Sequence, residues 1–270
     1  MIESLLNFKE VDRSPYLIFL WALIISTIGI IISTQLYYRV SISNVVVNLS
    51  GIFSVLFTII PSTYFLTVLI RKEERIEEKE IKCHEEKKFW CRHEKDIIIL
   101  LFYFLGVTFS FALWAFVMPS EYFQIQMSKI QEIRSGAFTQ YAVAKGDFSS
   151  FMYILTNNLQ VMAFAFVFSL LFGCGAIFII VWNASVLGTY IGELSKSLFD
   201  IPLVSLSFLP HGIPEICGFL CAGLAGGLLS MAIIRNHGMK ILEVIMFDCV
   251  KILLVATFFI CIAAGIEVYL

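Results

Sequence analysis

Apolar runs of membrane-crossing length dominate this chain, separated by short polar breaks. About 20 consecutive apolar residues cross a bilayer core as a helix. On that yardstick six stretches qualify, approximately 16–36, 46–70, 97–118, 158–182, 210–234 and 250–269. Backbone polar groups in hydrocarbon must be satisfied within the segment, so these runs predict an all-α, polytopic transmembrane helical bundle. Pro61, Ser62 and Thr63 interrupt the second run and predict a kink there. In the connection 119–153, Tyr122, Ile125, Ile130 and Ile133 recur at near-helical spacing opposite charged positions. That spacing predicts an amphipathic helix, either resting on the outer face of the bilayer or packed as a lid on the other spans.

The pattern changes abruptly between the second and third runs. Residues 71–96, RKEERIEEKEIKCHEEKKFWCRHEKD, hold nine Lys/Arg and nine Asp/Glu. Glu78 with Lys82, and Lys82 with Glu86, are spaced as helical pairs, so a charged helical hairpin is expected to project beyond the membrane. Four divisions follow: 1–70, an N-terminal transmembrane hairpin; 71–96, the charged hairpin; 97–153, a third span with the outer amphipathic segment; and 154–270, a membrane core. Cys83, His84, Cys91 and His93 place two thiols and two imidazoles within eleven residues, the donor set of a structural zinc. They converge only if the chain turns around Phe89 and Trp90. The competing expectation is a solvated hairpin in which these side chains pack locally.

Composition agrees with the pattern. The 270 residues are 59% hydrophobic and 15% charged, against about 25% charged in soluble domains. Basic and acidic residues nearly cancel, to a net charge of −2, and the hairpin neutralises itself, so no nucleic-acid partner is expected. Lys9 and Arg13 precede a first run that is long for a signal peptide and lacks a small-residue cleavage site, so it reads as a transmembrane helix. Nucleotide-binding and hydrolase motifs are missing, which argues against an enzyme. Cys174, Cys217, Cys221, Cys249 and Cys261 fall in or beside apolar runs, where cysteine packs as a small hydrophobe.

The chemistry concentrates towards the C-terminus. Asn157 and Asn158 precede the fourth run, while Asn183 and Gly188 follow it. Such amides can hydrogen-bond neighbouring helices, and the pairs Gly188/Gly192 and Gly223/Gly227 offer smooth faces for close helix approach. Next comes SFLPHGIPEICGFLCAGLAGG, which sets Pro210, His211, Gly212, Pro214 and Glu215 at the mouth of an apolar run. Each proline lacks an N–H, so an uninterrupted helix is not expected. Pro214 suits a first turn, with Glu215 beside it and His211 just ahead. One reading is a rigid helix entry stapled by His211 and Glu215, with Gly212 permitting a bend or close approach. The other is a polar site, because ionisable groups at membrane depth are expensive and by default functional. A metal there needs a third ligand, for which Glu193, Glu243 and Asp248 are candidates.

The order of NN, a Gly-rich apolar span, WNASVLG, LPHGIPE and AGLAGG over about residues 156–234 resembles the stage II sporulation protein M family. The resemblance implies an integral membrane protein with a cytoplasmic N-terminus. In spore formers it implies a scaffold gathering cell-wall remodelling partners; relatives also occur in organisms that never sporulate. A scaffold or assembly factor docking membrane or envelope proteins is therefore the leading expectation, with lipid contact and self-association. The rivals are a transporter or channel through Asn158, Asn183, His211 and Glu215, and an intramembrane metal-dependent hydrolase.

Lys and Arg set orientation. They place the N-terminus and the hairpin in the cytoplasm of a multi-pass cell-membrane protein. Arg235, Lys240 and Lys251 then fall outside, against the bias, unless residues 183–209 contain a further crossing.

Overall fold

The computed structural model describes residues 15–36, 39–42, 45–64, 67, 89–141, 148–172, 175–235 and 238–269. In chain order the elements are α1 (Tyr16–Gln35), β1 (Arg39–Ile42), β2 (Val45–Asn48), α2 (Ser50–Tyr64), α3 (Phe89–Val117), α4 (Gln124–Tyr141), α5 (Phe148–Phe172), α6 (Ala176–Leu194), α7 (Asp200–Ile234) and α8 (Met239–Tyr269). A 3-10 turn, Ser120–Phe123, leads into α4.

The all-helical expectation holds, and six helices are long and apolar enough to cross a membrane. They are not the same six. The second run yields α2, 15 residues long, preceded by an antiparallel β-hairpin that pairs Arg39 with Asn48 and Ile42 with Val45. Val45, Val46 and Val47 are β-branched, which favours the strand over helix at the start of that run. The fourth run divides into α5 and α6, with residues 173–174 between them outside the described set. α6 carries the end of that run on to Leu194, so it overlaps the stretch 183–209 in which a further crossing was one way to meet the Lys/Arg bias.

Apolar side chains lie outside as well as inside, as a lipid solvent requires. On α8, Ile245, Ile252, Ala256 and Ile260 are buried while Val250, Leu254 and Phe258 are exposed. That alternation follows the helical period and separates a packed stripe from a lipid-facing one.

The chain forms two compact units. The first comprises residues 1–61, 102–144 and 181–209, the second 62–101, 145–180 and 210–270. In the first, helices approach through small residues. A Cβ on Gly106 would run into the Phe19 carbonyl, and one on Gly188 into the Thr108 carbonyl. Gly192 lies against Ala112 and Ala115, so the Gly188/Gly192 face expected from the spacing is used against α3. Hydroxyls bind α1 to α3: Thr27 and Ser110 share a hydrogen bond of 3.1 Å, and Trp114 Nε1–H donates to Thr27 at 3.3 Å. In the second unit Cys221, Leu224, Ala225 and Leu228 of α7 pack with Ile245, Cys249 and Ile252 of α8 and Ile97 of α3. There the glycines that permit close approach are Gly218, against α8, and Gly226, against the Phe166 carbonyl of α5. Cys249 Sγ–H donates to the Ala225 carbonyl at 3.2 Å, and Cys217, Cys221, Cys249 and Cys261 are free thiols.

Candidate functional site

The PHGIPE element lies inside a helix rather than at its mouth. α7 runs for 35 residues through both Pro210 and Pro214. The expectation of a break there, with Pro214 in a first turn, is overturned. Each proline removes one N–H and leaves the carbonyl four residues earlier, at Leu206 and Pro210, without its helical donor. Breaking the helix at membrane depth would orphan more groups than those two, with no water to take them, which is why prolines are tolerated in transmembrane helices. Nearby hydroxyls use the same ladder: Ser205 donates to the Ile201 carbonyl at 2.7 Å and Ser207 to the Val204 carbonyl at 2.6 Å.

Continuity puts His211 and Glu215 on successive turns of one face. Both are half-buried, and Ile213, on the opposite side of the helix, is exposed. A Cβ on Gly212 would meet nothing within 4 Å. Gly212 therefore serves neither a bend nor close approach within the chain; the space beside it is open. Glu267, near the end of α8, is close enough to Glu215 for the two carboxylates to interact electrostatically.

The other candidates lie on other helices. On α5 Asn158 is buried at 5% exposure and Asn157 points outward, with Asn157 Nδ2–H donating to Asn158 Oδ1 at 3.4 Å. Asn183 and Gly188 sit on the part of α6 that belongs to the first unit, whereas Asn158, His211 and Glu215 belong to the second. Glu193 is likewise in the first unit, and Asp248 pairs with Lys251 at 2.7 Å. Among the described residues no group of three or more His, Cys, Asp or Glu is placed to hold a metal ion. Cys83 and His84 lie outside the described residues, while Cys91 and His93 fall in the opening turns of α3.

A second polar site, absent from the sequence reading, lies in the first unit. β2, the 3-10 turn and α4 pack together there. The helix expected around 122–133 is present, and it is packed: Phe123, Gln126 and Ile130 are its buried face. Gln126 is completely buried, its Nε2–H donating to the Gly51 carbonyl at 2.9 Å. Asn48 closes an Asx turn at the start of α2, its Oδ1 accepting from the Ser50 N–H at 2.9 Å and the Ser50 hydroxyl at 2.7 Å. Its own N–H donates to Gln124 Oε1 at 2.9 Å. Beside this frame is a cavity of about 470 Å³ walled by Asn48, Ser120, Glu121, Gln124, Met127, Gln131 and Glu193. The sequence signal was slight: an Asn two residues before a Ser at the head of an apolar run, and a Gln among isoleucines.

Long apolar helices with lipid-facing stripes define a multi-span membrane protein. The chain belongs to the stage II sporulation protein M family, whose model matches residues 98–270. The match extends the resemblance from the 156–234 segment back to α3. Over 178 residues the chain is 28% identical to the uncharacterized protein MJ0793 of Methanocaldococcus jannaschii, a span covering 64% of this chain and 92% of that protein. No solved structure matches it.

Proposed function

We propose that this protein is a scaffold of the cell membrane that docks a transmembrane segment of another membrane or envelope protein against α7. The observation that carries the reading is the open space beside Gly212, flanked by half-buried His211 and Glu215. Polar groups at membrane depth are costly when faced by lipid, and a small residue beside them lets a second helix approach closely enough to shield them from it. A docked helix supplies that cover. Family membership supports a shared membrane core, and the N-terminal 97 residues, outside the family match, supply the charged segment as a further partner surface.

The test is site-specific photo-crosslinking in intact cells. A crosslinker at Leu209, one turn before Gly212 on the same side of α7, is expected to give a discrete protein adduct, and one at Phe258, on the lipid-facing stripe of α8, is expected to give none. Gly212→Leu should abolish the adduct while leaving the melting temperature of the purified protein unchanged. An adduct formed equally from both positions would sink the reading. Loss of solute flux in His211→Ala proteoliposomes, with no adduct from Leu209, would favour transport instead.

A further inference from the structure

Among the described residues that wall the cavity of the first unit, all but Met127 end in a hydrogen-bonding group. They are the amides Asn48, Gln124 and Gln131, the carboxylates Glu121 and Glu193, and the hydroxyl of Ser120. Two of the amides are oriented by their own frame. Asn48 Oδ1 accepts from both the N–H and the hydroxyl of Ser50, which leaves Nδ2 as the remaining end of that side chain. Asn48 is 3% exposed, and its Nδ2 is buried without a hydrogen-bond partner among the described residues. Gln124 is oriented the same way, its Oε1 accepting from the Asn48 N–H at 2.9 Å. A buried donor without an acceptor carries a desolvation penalty that an incoming oxygen removes.

Glu193, at the end of α6, makes the opposite demand, because a carboxylate only accepts. A ligand suited to both accepts from amides and donates to a carboxylate within one small cavity. A hydroxyl does both, with one O–H donor and two acceptor lone pairs. Neither contact depends on Glu121, which already has a partner, or on the net charge of the wall, since a hydroxyl is neutral and meets acidic and basic side chains alike. A phosphate brings acceptors without donors, and an ammonium brings donors without acceptors. A peptide has both, but its side chains ask for more apolar wall than Met127. A volume of about 470 Å³ is within the range of small-molecule sites, roughly 300–1,000 Å³.

We infer that this cavity is a binding site for a neutral polyhydroxylated ligand, a sugar of one or a few rings. Ring hydroxyls accept from Asn48 Nδ2 and Gln124 Nε2, and others donate to the Glu193 carboxylate. Met127 lies against the C–H face of the ring. The site is independent of partner docking on α7.

The test uses the full-length protein in lipid nanodiscs and saturation-transfer NMR, which reads weak binding. The probes are glucose, galactose, mannose, N-acetylglucosamine and trehalose, each titrated separately against protein and against empty nanodiscs. At least one sugar is expected to give a saturable signal that empty nanodiscs lack. Tetrahydropyran-2-methanol, which keeps the ring and a single hydroxyl, is expected to give none. Asn48→Asp keeps the acceptor that holds Ser50 and removes the Nδ2 donor, and is expected to weaken binding about tenfold. Glu193 is exposed, so Glu193→Ala leaves the fold intact and is expected to weaken binding by a similar factor. Absence of a saturable signal from every sugar overturns the proposal. Equal signal from tetrahydropyran-2-methanol, or undiminished sugar binding to Glu193→Ala, overturns it as well. None of these outcomes bears on the crosslinking experiment at α7, which uses other residues.

Discussion

Individual glycines in this molecule do opposite things, and a Cβ distinguishes them. Gly188 on α6 lies against the Thr108 carbonyl of α3, where no flexible side chain can give way. Gly188→Ala should therefore separate two backbones and destabilise by about 1–3 kcal/mol, the usual cost of overpacking. Gly212 faces open space. Gly212→Ala should leave stability unchanged or raise it by up to about 1 kcal/mol, because alanine is the better helix former. Thermal unfolding of both variants in detergent checks the contrast; comparable destabilisation by the two would mean that the α7 face is already covered within the chain. Gln126 poses a related case. It is completely buried, yet Ile125 beside it is only half-buried, so hydrophobicity alone gave part of the inward face of α4, including Ile130, and missed Gln126.

At the level of elements, helix identity was legible wherever an apolar run exceeded the bilayer thickness, because in lipid the backbone has few alternatives. Ends were less so. The strand at Val45–Asn48 is three β-branched residues and an Asn joined to an apolar helix, and a hydropathy window sees only one continuous run. The α5/α6 division was hidden for the same reason: Gly173, Cys174 and Gly175 do not lower hydropathy enough to announce a turn. Of the candidate site, His211 and Glu215 were visible as charges within an apolar run, whereas the wall of the cavity draws Asn48, Glu121 and Glu193 from distant segments. Pro210 and Pro214 misled because the rule for soluble helices was applied to a membrane helix. A continuous α7 makes a definite prediction. Pro210→Ala returns an N–H to the Leu206 carbonyl and should stabilise the protein by about 1–3 kcal/mol, the helix-interior cost of proline. A fall in melting temperature would instead show that the native packing depends on the proline ring at that position.

For the whole molecule, the division of the fourth run into two helices changes the membrane topology that charge implies. If α2 with the residues after it crosses, as the second apolar run predicts, then α6 is the fifth crossing and α7 the sixth. A cytoplasmic N-terminus then puts residues 195–199 outside and the connection after Ile234 inside. Arg235 and Lys240 join Lys9, Arg13 and the charged stretch 71–96 on the cytoplasmic side, and the conflict with the Lys/Arg bias is removed for both. On this reading Asn48, Glu121 and Glu193 all sit at outward ends of their elements, so the cavity they wall is on the side away from the cytoplasm. Single cysteines in an otherwise cysteine-free chain decide the matter. Lys196→Cys should react with a membrane-impermeant maleimide on intact cells, and Arg235→Cys only after permeabilisation. The reverse pattern is what six crossings without a separate α6 require.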